Sequence, residues 1–311
     1  MGPVTLGILG CGYTGLRVAT VWRSGTVGPE SFDPDRASAA GAPPWARAGP
    51  IRGTTRSTGR LDDLAGWGIE GWTADLARGI PEPFFQGLEH VIHLAPPPTD
   101  EGELDRQVDA LAATVRRAAP GLKSFVYGST TGAFGQQSDG DWVDEDTPAG
   151  PMQPRGARRA RYEARLRSSG LPVRIVRIAA IYGPGRGMPA ALDRGMVLFE
   201  GGPLTSRIHV EDLARLLVAM TGPDVPAMVV GCDEEPARTV EVAEFCCRIT
   251  GRAMPEVVSK EAALRDMSPQ ARELRTAGRR CRSRHRPGLI GALRHPSYRE
   301  GLRASVGVEA D

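Results

Sequence analysis

Three glycines near the amino end have a spacing that suits phosphate binding. They follow the short β-rich run VTLGIL and precede apolar residues at helical spacing, so a strand, a turn and a helix are predicted in order. The first glycine permits a tight turn, the second lets the main chain approach a pyrophosphate, and the third lets the helix pack closely on the strand. A dinucleotide site is therefore predicted, with a ligand-free turn as the alternative, on Gly10, Gly12, Tyr13, Thr14 and Gly15.

The residues after the second predicted strand bear on the choice between NAD and NADP. An acidic residue there would accept hydrogen bonds from the ribose 2′-hydroxyl of NAD, whereas this chain offers Thr54, Thr55 and Arg56. A guanidinium pairs with a 2′-phosphate, so the sequence favours NADP over NAD; the alternative is that Arg56 faces water. Asp75, after the third strand, is placed either to accept a hydrogen bond from an adenine amino group or to cap a helix. Ala95, which ends the fourth strand, is the last predicted cofactor contact.

Other reactive residue types give weaker signals. His90 and His93 lie three residues apart on a predicted strand, where an odd separation directs side chains to opposite faces, so we expect no shared metal ion and no metal site. His93 is interpreted as a core histidine rather than a catalytic one. The five cysteines form no C-x-x-C pair and are expected to be reduced thiols. No G-x-S-x-G or Cys/His/Asp arrangement indicates a covalent nucleophile.

The elements that must position these residues alternate along the chain. The strands read as near-continuous apolar runs with helices between them, which is typical of a parallel sheet covered on both faces. We therefore predict an α/β fold, a doubly wound parallel sheet of Rossmann type with a smaller C-terminal substrate lobe. The predicted strands are Val4–Leu9, Pro50–Thr55, Gly68–Leu76, His90–Ala95, Ser124–Thr130, Val173–Gly183 and Ala227–Gly231, and the predicted helices are Leu16–Arg23, Glu101–Ala119, Gly150–Leu166, Val210–Thr221 and Val240–Gly251.

The chain is predicted to divide at residue 183. Residues 1–183 form the dinucleotide-binding domain, with a surface insertion at 25–49 that is rich in glycine, proline, alanine and serine. That insertion is expected to be either ordered or mobile. Residues 184–311 form the substrate-binding lobe, from which the chain returns to the sheet near 207–231.

Composition and charge limit the partners. A chain of 311 residues with 41% apolar and 24% charged residues can bury a large core, and its net charge of +2 gives no reason to expect nucleic acid or an anionic membrane. The basic stretch RRCRSRHR in the tail lacks interleaved aromatic residues, which argues against a nucleic-acid contact. Neither a leader nor an apolar run long enough to span a membrane is evident. We expect a cytoplasmic protein with a small-molecule substrate.

Several segments together resemble the short-chain dehydrogenase/reductase superfamily, in its extended NAD-dependent epimerase/dehydratase form. They are ILGCGYTG, FVYGSTTGAFG, VRIVRIAAIYGPGR, RIHVEDLA and HPSYREGL, and the likeness covers nearly the whole chain outside 25–49. The first motif is one residue shorter than the usual T-G-x-x-G-x-x-G. The resemblance implies an oxidoreductase or epimerase that acts on a small polar metabolite, such as a sugar nucleotide or a biosynthetic intermediate. It also makes a homodimer possible.

The resemblance also implies positions for the catalytic residues. Thr130 falls where the family has a serine or threonine that hydrogen-bonds the reacting oxygen, and Ser129 is an adjacent hydroxyl. The family motif Y-G-x-x-K-x-x-x-E, laid on this chain, begins at Arg155, places Arg159 at the lysine and retains Glu163. The chain thus resembles an atypical subgroup that lacks the catalytic tyrosine.

Arginine at these two positions changes the implied chemistry. In the family the tyrosine transfers a proton as hydride moves, but a guanidinium stays protonated and donates hydrogen bonds rather than protons. Arg155 is predicted to stabilise an oxyanion or clamp a carboxylate or phosphate, with a solvated basic helix as the alternative, and Arg159 to hold ribose hydroxyls. Tyr162 lies two helical turns, ~10 Å, from Arg155 and is not expected to reach the site. Tyr182 is the preferred substitute proton donor, unless it packs beneath its loop.

Two further expectations concern the C-terminal half and the overall function. Arg207 and His209 are predicted to line the substrate cleft, and Asp212 to cap the helix that follows them. The same residues are also compatible with two other functions. One is a catalytically inactive NADP-binding regulator or partner protein, and the other is a non-redox lyase or isomerase on the same fold.

Overall fold

A computed structural model of the chain describes residues 4–25, 48–135, 141–150 and 152–308. The predicted insertion at 25–49 lies mostly outside these ranges. The described strands are β1 Val4–Leu9, β2 Ala48–Thr55, β3 Glu70–Thr73, β4 His90–His93, β5 Ser124–Thr130, β6 Trp142–Val143, β7 Val173–Ile178, β8 Ala180–Tyr182, β9 Leu198–Phe199, β10 Arg207–His209, β11 Met228–Gly231, β12 Val257–Val258 and β13 Arg280–Cys281.

Helices connect most of these strands. None of the helices within the described ranges is both long and apolar enough to cross a membrane. Short 3-10 turns add to the helices at Thr58–Arg60 and Thr131–Phe134. The helices are α1 Tyr13–Ser24, α2 Leu61–Gly66, α3 Glu82–Phe85, α4 Glu101–Ala118, α5 Pro154–Arg167, α6 Met188–Asp193, α7 Val210–Ala219, α8 Thr239–Thr250, α9 Lys260–Leu264, α10 Pro269–Thr276, α11 Arg286–Ile290 and α12 Tyr298–Val306.

Seven strands form one parallel sheet in the order β11-β7-β5-β4-β1-β2-β3. The chain builds outward from β1 to β3, then crosses to β4 on the other side of β1 and builds outward to β11. The order therefore reverses between β1 and β4, where open α/β sheets bind ligands at the carboxyl ends of their strands. This topology confirms the predicted doubly wound α/β fold of Rossmann type.

Helices cover both faces of the sheet, and the alternation of side chains along each strand explains why. Leu6 and Ile8 of β1 point into one layer, where they share a core with Trp22 of α1 and with the apolar residues of α7. Leu9 points to the opposite face and joins the core that contains α4 and Tyr162 of α5. Strands buried on both faces need apolar residues at nearly every position, which accounts for the apolar runs in the sequence.

The predicted strand Val173–Gly183 is divided into two in the structure. The amide of Ala179 donates to the carbonyl of Gly231 at 2.9 Å, so that residue still pairs with the central sheet. The next amide, that of Ala180, donates to the carbonyl of Ser206 at 3.2 Å. The chain therefore changes partners at this point, and β8 pairs with β10 outside the central sheet.

The C-terminal half adds a separate core beside the sheet. Its centre is formed by Tyr182, Leu198, Phe245 and Tyr298, which are all buried. From this region the chain returns through α7 to the edge strand β11. The carboxyl ends of the central strands therefore lie close to this second core and are not surrounded by solvent alone.

Candidate functional site

The turn between β1 and α1 has the backbone geometry that its glycines predict. Gly10 has a φ of +81°, which side chains rarely adopt, and a Cβ there would lie 2.8 Å from the amide nitrogen of Ala95. At Gly15 a Cβ would lie 3.2 Å from Cγ2 of Ile8, so the helix packs closely on the strand. At Gly12 a Cβ would meet nothing within 4 Å, so the main chain faces open space there. The residues present therefore fit a bound pyrophosphate.

Hydrogen bonds from the neighbouring strand hold this turn in place. The amide of Gly10 donates to Oγ1 of Thr54 at 2.9 Å, and the amide of Cys11 donates to the Thr54 carbonyl at 2.8 Å. Gly12 is the N-cap residue of α1 and has no side chain to bond the first amides of that helix. Those amides and the positive end of the helix dipole are therefore suited to bind an anion.

A cleft of about 540 Å³ extends from this turn across the carboxyl ends of the sheet. It brings the predicted phosphate turn together with four of the predicted catalytic residues, Ser129, Thr130, Arg155 and Arg159. Among the described residues, the lining leaves out the other predicted site residues, which are Thr55, Arg56, Asp75, Ala95, Tyr182, Arg207 and His209.

The two hydroxyls at the end of β5 have opposite hydrogen-bonding roles. Ser129 Oγ donates to Oε1 of Glu163 at 2.5 Å, and Glu163 is fully buried and paired with Arg177 at 2.9 Å. Because a hydroxyl has one hydrogen, Ser129 can only accept a hydrogen bond from a ligand. Thr130 Oγ1 instead accepts from the amide of Gly132 at 3.2 Å. The hydrogen of Thr130 is therefore the one available for donation into the cleft.

The two arginines of α5 occupy one wall of the cleft. Arg159 donates to the hydroxyl of Tyr127 at 2.7 Å and to the carbonyl of Gly128 at 3.2 Å, which fixes its guanidinium against the end of β5. Arg155 lies one helical turn earlier on the same face. Desolvation in the cleft, followed by the positive charge of Arg159, lowers the pKa of Arg155, and the negative charge of Glu273 opposes this shift.

The candidate proton donors of the sequence lie away from the cleft. Tyr182 is buried in the C-terminal core and its hydroxyl donates to the carbonyl of Ser297 at 3.0 Å, so the structure shows it packed, as in the alternative interpretation. Tyr162 is also buried, and its hydroxyl lies 2.9 Å from Nε2 of His93. Burial raises the pKa of both tyrosines and lowers the pKa of His93 to about 3. None of the three lines the cleft.

Asp212 does not cap α7, contrary to the prediction. Its buried carboxylate accepts the amides of Arg294 and His295, each at 2.9 Å, and so binds a distant segment of the chain. The N-cap residue is His209, whose Nδ1 faces the amide of Glu211 at 3.4 Å. The prediction was wrong because the carboxylate of Asp212 is occupied by Arg215, one turn along the helix, and by two amides more than eighty residues away in sequence.

The residues predicted to contact the adenosine part of a dinucleotide lie at the ends of β2 and β3. Thr55 is in register with Thr73 of β3, and Arg56 follows it as an exposed side chain. Asp75 is exposed, and its Oδ1 accepts the amide of Ala77 at 3.0 Å within a turn. Asp75 thus caps a turn rather than a helix.

Three charged residues of the C-terminal half line the cleft and were not predicted. Arg186 lies with its guanidinium 5.4 Å from the ring centre of Tyr13, while Arg279 donates to the carbonyl of Gly135 at 2.7 Å. Glu273 of α10 is the third. The sequence could not single out these two arginines, because all but two of the 39 lysine and arginine residues in the chain are arginine. Within the described ranges, the charged residues of the lining are four arginines and one glutamate.

The parallel sheet, the glycine turn at its switch point and the cleft at its carboxyl edge define an α/β protein of Rossmann type. Solved structures share this fold: a functionally unknown conserved protein from Silicibacter pomeroyi DSS is 28% identical, with a TM-score of 0.76 over 99% of this chain and 100% of that one. MoeE5 in complex with UDP-glucose and NAD is 18% identical, with a TM-score of 0.69 over 98% of both chains. The human epimerase family protein SDR39U1 with NADPH is 17% identical, with a TM-score of 0.69 over 96% of this chain and 98% of that one.

One curated protein is also similar in sequence. It is a 3-diazoavenalumate denitrifying reductase from a Streptomyces species, 30% identical over 154 residues. The match spans 46% of this chain and only 50% of that protein. No protein-family model matches the chain. The comparisons therefore establish the shared fold, and its structural neighbours include a UDP-glucuronic acid 4-epimerase in complex with NAD and an NAD-dependent NDP-hexosamine dehydratase.

Proposed function

We propose that the protein is an NAD(P)-dependent oxidoreductase that acts on a small anionic substrate. The observation that carries the proposal is the cleft, in which one space joins the glycine turn to Thr130, Arg155 and Arg159. The turn and the open amides of α1 suit a dinucleotide diphosphate. A nicotinamide bound there supplies or accepts hydride. An epimerase that uses the same hydride transfer is the related alternative.

NADP is proposed as the preferred nucleotide. Arg56 is exposed directly after Thr55 at the end of β2, the position that contacts the adenosine ribose in this fold. A guanidinium at that position stabilises a 2′-phosphate and has no acceptor for the hydrogen of a 2′-hydroxyl. The structural neighbours are compatible with either nucleotide, since one was solved with NADPH and another with NAD.

The charges in the cleft support an anionic substrate. Arg155 and Arg159 lie one helical turn apart, and their mutual repulsion contributes to the lowered pKa of Arg155. A carboxylate or phosphate between the two guanidiniums relieves this repulsion and forms charge-assisted hydrogen bonds. Thr130 can donate to the same anionic group, because its own hydrogen is directed to no other described residue.

The arginine at 155 favours a reaction that needs no proton from this position. The curated relative is named for a diazo substrate that loses its nitrogen. In reduction of a diazonium-type carbon, hydride forms a new C–H bond while the C–N bond breaks, and the electron pair of that bond leaves with N₂. The atoms and charges balance without a protein acid, whereas carbonyl reduction requires one. We therefore propose that the substrate is an anionic diazonium-type compound, in preference to a sugar nucleotide or another carbonyl-bearing intermediate.

The test measures consumption of NADPH and NADH by the purified protein. The acceptors are an aryl diazonium carboxylate, a matched neutral diazonium compound, and carbonyl compounds with and without a carboxylate. We expect NADPH loss with the anionic diazonium compound, and a fall in kcat/KM of about tenfold or more in Arg155→Ala, because a charge-assisted contact is removed. Arg158→Ala is the matched control, since Arg158 lies on the same helix but outside the cleft lining.

A second candidate is a nucleotide-binding regulator without turnover. Among the described residues that line the cleft, Tyr13 and Glu273 provide the only phenol and carboxylate, and no imidazole, thiol or amine is present. The Tyr13 hydroxyl donates to the carbonyl of Pro184 at 3.1 Å, and burial raises its pKa. Thermal stabilisation by NADPH with no consumption of it in any acceptor mixture would favour this candidate over an enzyme.

A further inference from the structure

We propose that His209, Glu211 and His295 form a binding site for a divalent transition metal of the zinc class. Each residue offers one ligand atom, and these atoms all lie within 4.8 Å of one another. Two imidazoles and one carboxylate are a frequent donor set for Zn²⁺. None of the three residues lines the cleft, so this site stands independently of the proposed oxidoreductase function.

The three side chains need only small movements to surround an ion. Nε2 of His295 lies 3.1 Å from Oε2 of Glu211, and the rings of His209 and His295 are 3.8 Å apart between their centres. With metal bonds of about 2.0–2.2 Å, tetrahedral ligand atoms are separated by about 3.4 Å. To reach this separation from the observed distances, the ligand atoms must therefore move by about 1 Å.

A hydrogen-bond chain fixes which nitrogen of His209 is available. Ser305 Oγ donates its hydrogen to the carbonyl of Gly301 at 2.5 Å, so it can only accept from another group. The amide of Glu211 points at Nδ1 of His209, and Nε2 lies 3.4 Å from Ser305 Oγ, so both neighbours agree with a proton on Nε2 and a lone pair on Nδ1. Nδ1 lies 3.4 Å from the amide of Glu211, which is long for a hydrogen bond. Its lone pair is thus weakly used and available for a metal.

A buried ion pair joins the two segments that carry the ligands. Asp212, next to Glu211, accepts the amide of His295 at 2.9 Å and pairs with Arg215 at 2.7 Å, and both side chains are fully buried. Arg215 also donates to the carbonyls of Ile290 at 2.6 Å and Ala292 at 3.2 Å. These buried contacts therefore hold the start of α7 against residues 290–295. Supporting contacts of this kind orient the ligands in known metal sites.

The donor set favours a metal bound through nitrogen. Two of the three ligand groups are imidazoles, and Glu211 supplies the oxygen. Mg²⁺ and Ca²⁺ are hard cations that take oxygen ligands. Imidazole nitrogen instead suits Zn²⁺ and other late divalent transition metals such as Co²⁺. We therefore expect selectivity for Zn²⁺ and Co²⁺ over Mg²⁺ and Ca²⁺.

The test loads the full chain with metal after EDTA treatment and dialysis. Equilibrium dialysis with ZnCl₂ should leave one zinc per chain, CoCl₂ should give a visible absorption band, and ZnCl₂ but not MgCl₂ should raise the melting temperature. Glu211→Gln and His295→Gln should each weaken zinc binding about tenfold or more, since each removes a ligand. His285→Gln, which removes an exposed histidine nearby in sequence, should bind zinc as the parent does.

Two outcomes would overturn the proposal. One is that the parent retains no more zinc than Glu211→Gln and His295→Gln, and the other is that MgCl₂ stabilises it as much as ZnCl₂ does. Circular dichroism and the melting temperature of each variant in EDTA establish that it is folded. Stabilisation of the variants by NADPH is measured in parallel, so that failure of the metal site and failure of the nucleotide site give different results.

Discussion

The two neighbouring hydroxyls at the end of β5 differ in what they can do for a substrate. Ser129 commits its hydrogen to Glu163, whereas Thr130 accepts from Gly132 and keeps its own hydrogen for donation. We expect Thr130→Ala to lower kcat/KM about 10- to 100-fold, because a hydrogen bond from Thr130 to the charged group of the substrate is lost. Ser129→Ala should lower kcat/KM less than about tenfold.

Steady-state kinetics on these two alanine variants, with the preferred acceptor and nucleotide, provide the check. Each variant removes one hydroxyl from adjacent positions of the same strand, so each serves as the control for the other. An equal loss in both would contradict the assignment of Thr130 as the donor. Unfolding in urea establishes whether the loss of the contact to Glu163 has also changed stability.

Arg56 tests the choice of nucleotide. Its exposed guanidinium follows β2, where it can pair with a 2′-phosphate, so we expect NADP(H) to raise the melting temperature more than NAD(H). Saturation at about 100 times the dissociation constant stabilises by about 2.7 kcal/mol, which is readily detected. Arg56→Ala should narrow the difference between the nucleotides, while Arg265→Ala, an exposed arginine of the C-terminal half, should leave it unchanged. Equal shifts in the parent protein would refute the assignment.

Local backbone roles in the site were predictable from the sequence, and long-range side-chain contacts were not. The roles of Gly10 and Gly15 depend on the conformation and packing of one turn, so their spacing carries the information. His209 and His295 are 86 residues apart, and the buried network around Asp212 helps to bring them together. No spacing along the chain indicates such a pair, which is why the sequence predicts no metal site.

At the scale of elements, α5 is placed by a close approach of two backbones. A Cβ on Gly156 would lie 2.4 Å from the carbonyl oxygen of Gly132, so only glycine lets α5 approach the turn after β5. Gly156→Ala should therefore push α5 away and displace Arg155 and Arg159 from the cleft. Since misplacement by about 1 Å can lower rates about 100-fold, we expect a large loss of kcat/KM. The better helix propensity of alanine offsets part of any loss in stability.

The matched control for this prediction is Gly288→Ala. Gly288 lies within α11, and a Cβ there would meet nothing within 4 Å, so the same substitution is sterically free. Kinetics and urea unfolding are measured on both variants. If Gly156→Ala keeps the parent kcat/KM, then the close contact does not position the arginines.

The strands of the central sheet were predictable because burial on both faces requires apolar runs. The predicted spans for β1 and β5 agree with the structure residue for residue. The division of Val173–Gly183 into β7 and β8 was not predictable, because it depends on which distant residues pair with each part. Ala179 bonds to Gly231 and Ala180 bonds to Ser206, and nothing in the local run distinguishes them.

At the scale of the whole molecule, two buried histidines in the central sheet are expected to make the free energy of unfolding depend on pH. His90 and His93 both belong to β4, the strand beside the switch point, and both are buried. His90 contacts the hydroxyl of Ser124 at 2.8 Å, and His93 contacts that of Tyr162 at 2.9 Å. Burial lowers the pKa of His90 to about 4 and that of His93 to about 3.

These shifts make stability fall as the pH falls below about 6.5. In the unfolded chain, each histidine binds a proton once the pH falls below its ordinary pKa of 6.5. In the folded chain, it does so only when the pH approaches the lowered pKa. Between these two pH values the unfolded chain holds more protons, so a fall in pH favours unfolding. At pH 5.5 each histidine therefore lowers the free energy of unfolding by about 1.4 kcal/mol relative to neutral pH. The two together remove about 2.8 kcal/mol, a large part of the ~5–15 kcal/mol that stabilises a typical domain.

The prediction is tested by urea unfolding at pH 7.5 and pH 5.5 in the parent, His93→Gln and His285→Gln. Glutamine keeps a nitrogen able to reach Tyr162 but does not titrate, so His93→Gln should lose about 1.4 kcal/mol less than the parent between the two pH values. His285 is exposed, so its replacement should leave the loss unchanged. Comparing differences between pH values removes the carboxylate contributions and any constant destabilisation by the substitution. An equal loss in parent and His93→Gln would show that the core of β4 accepts a proton without unfolding.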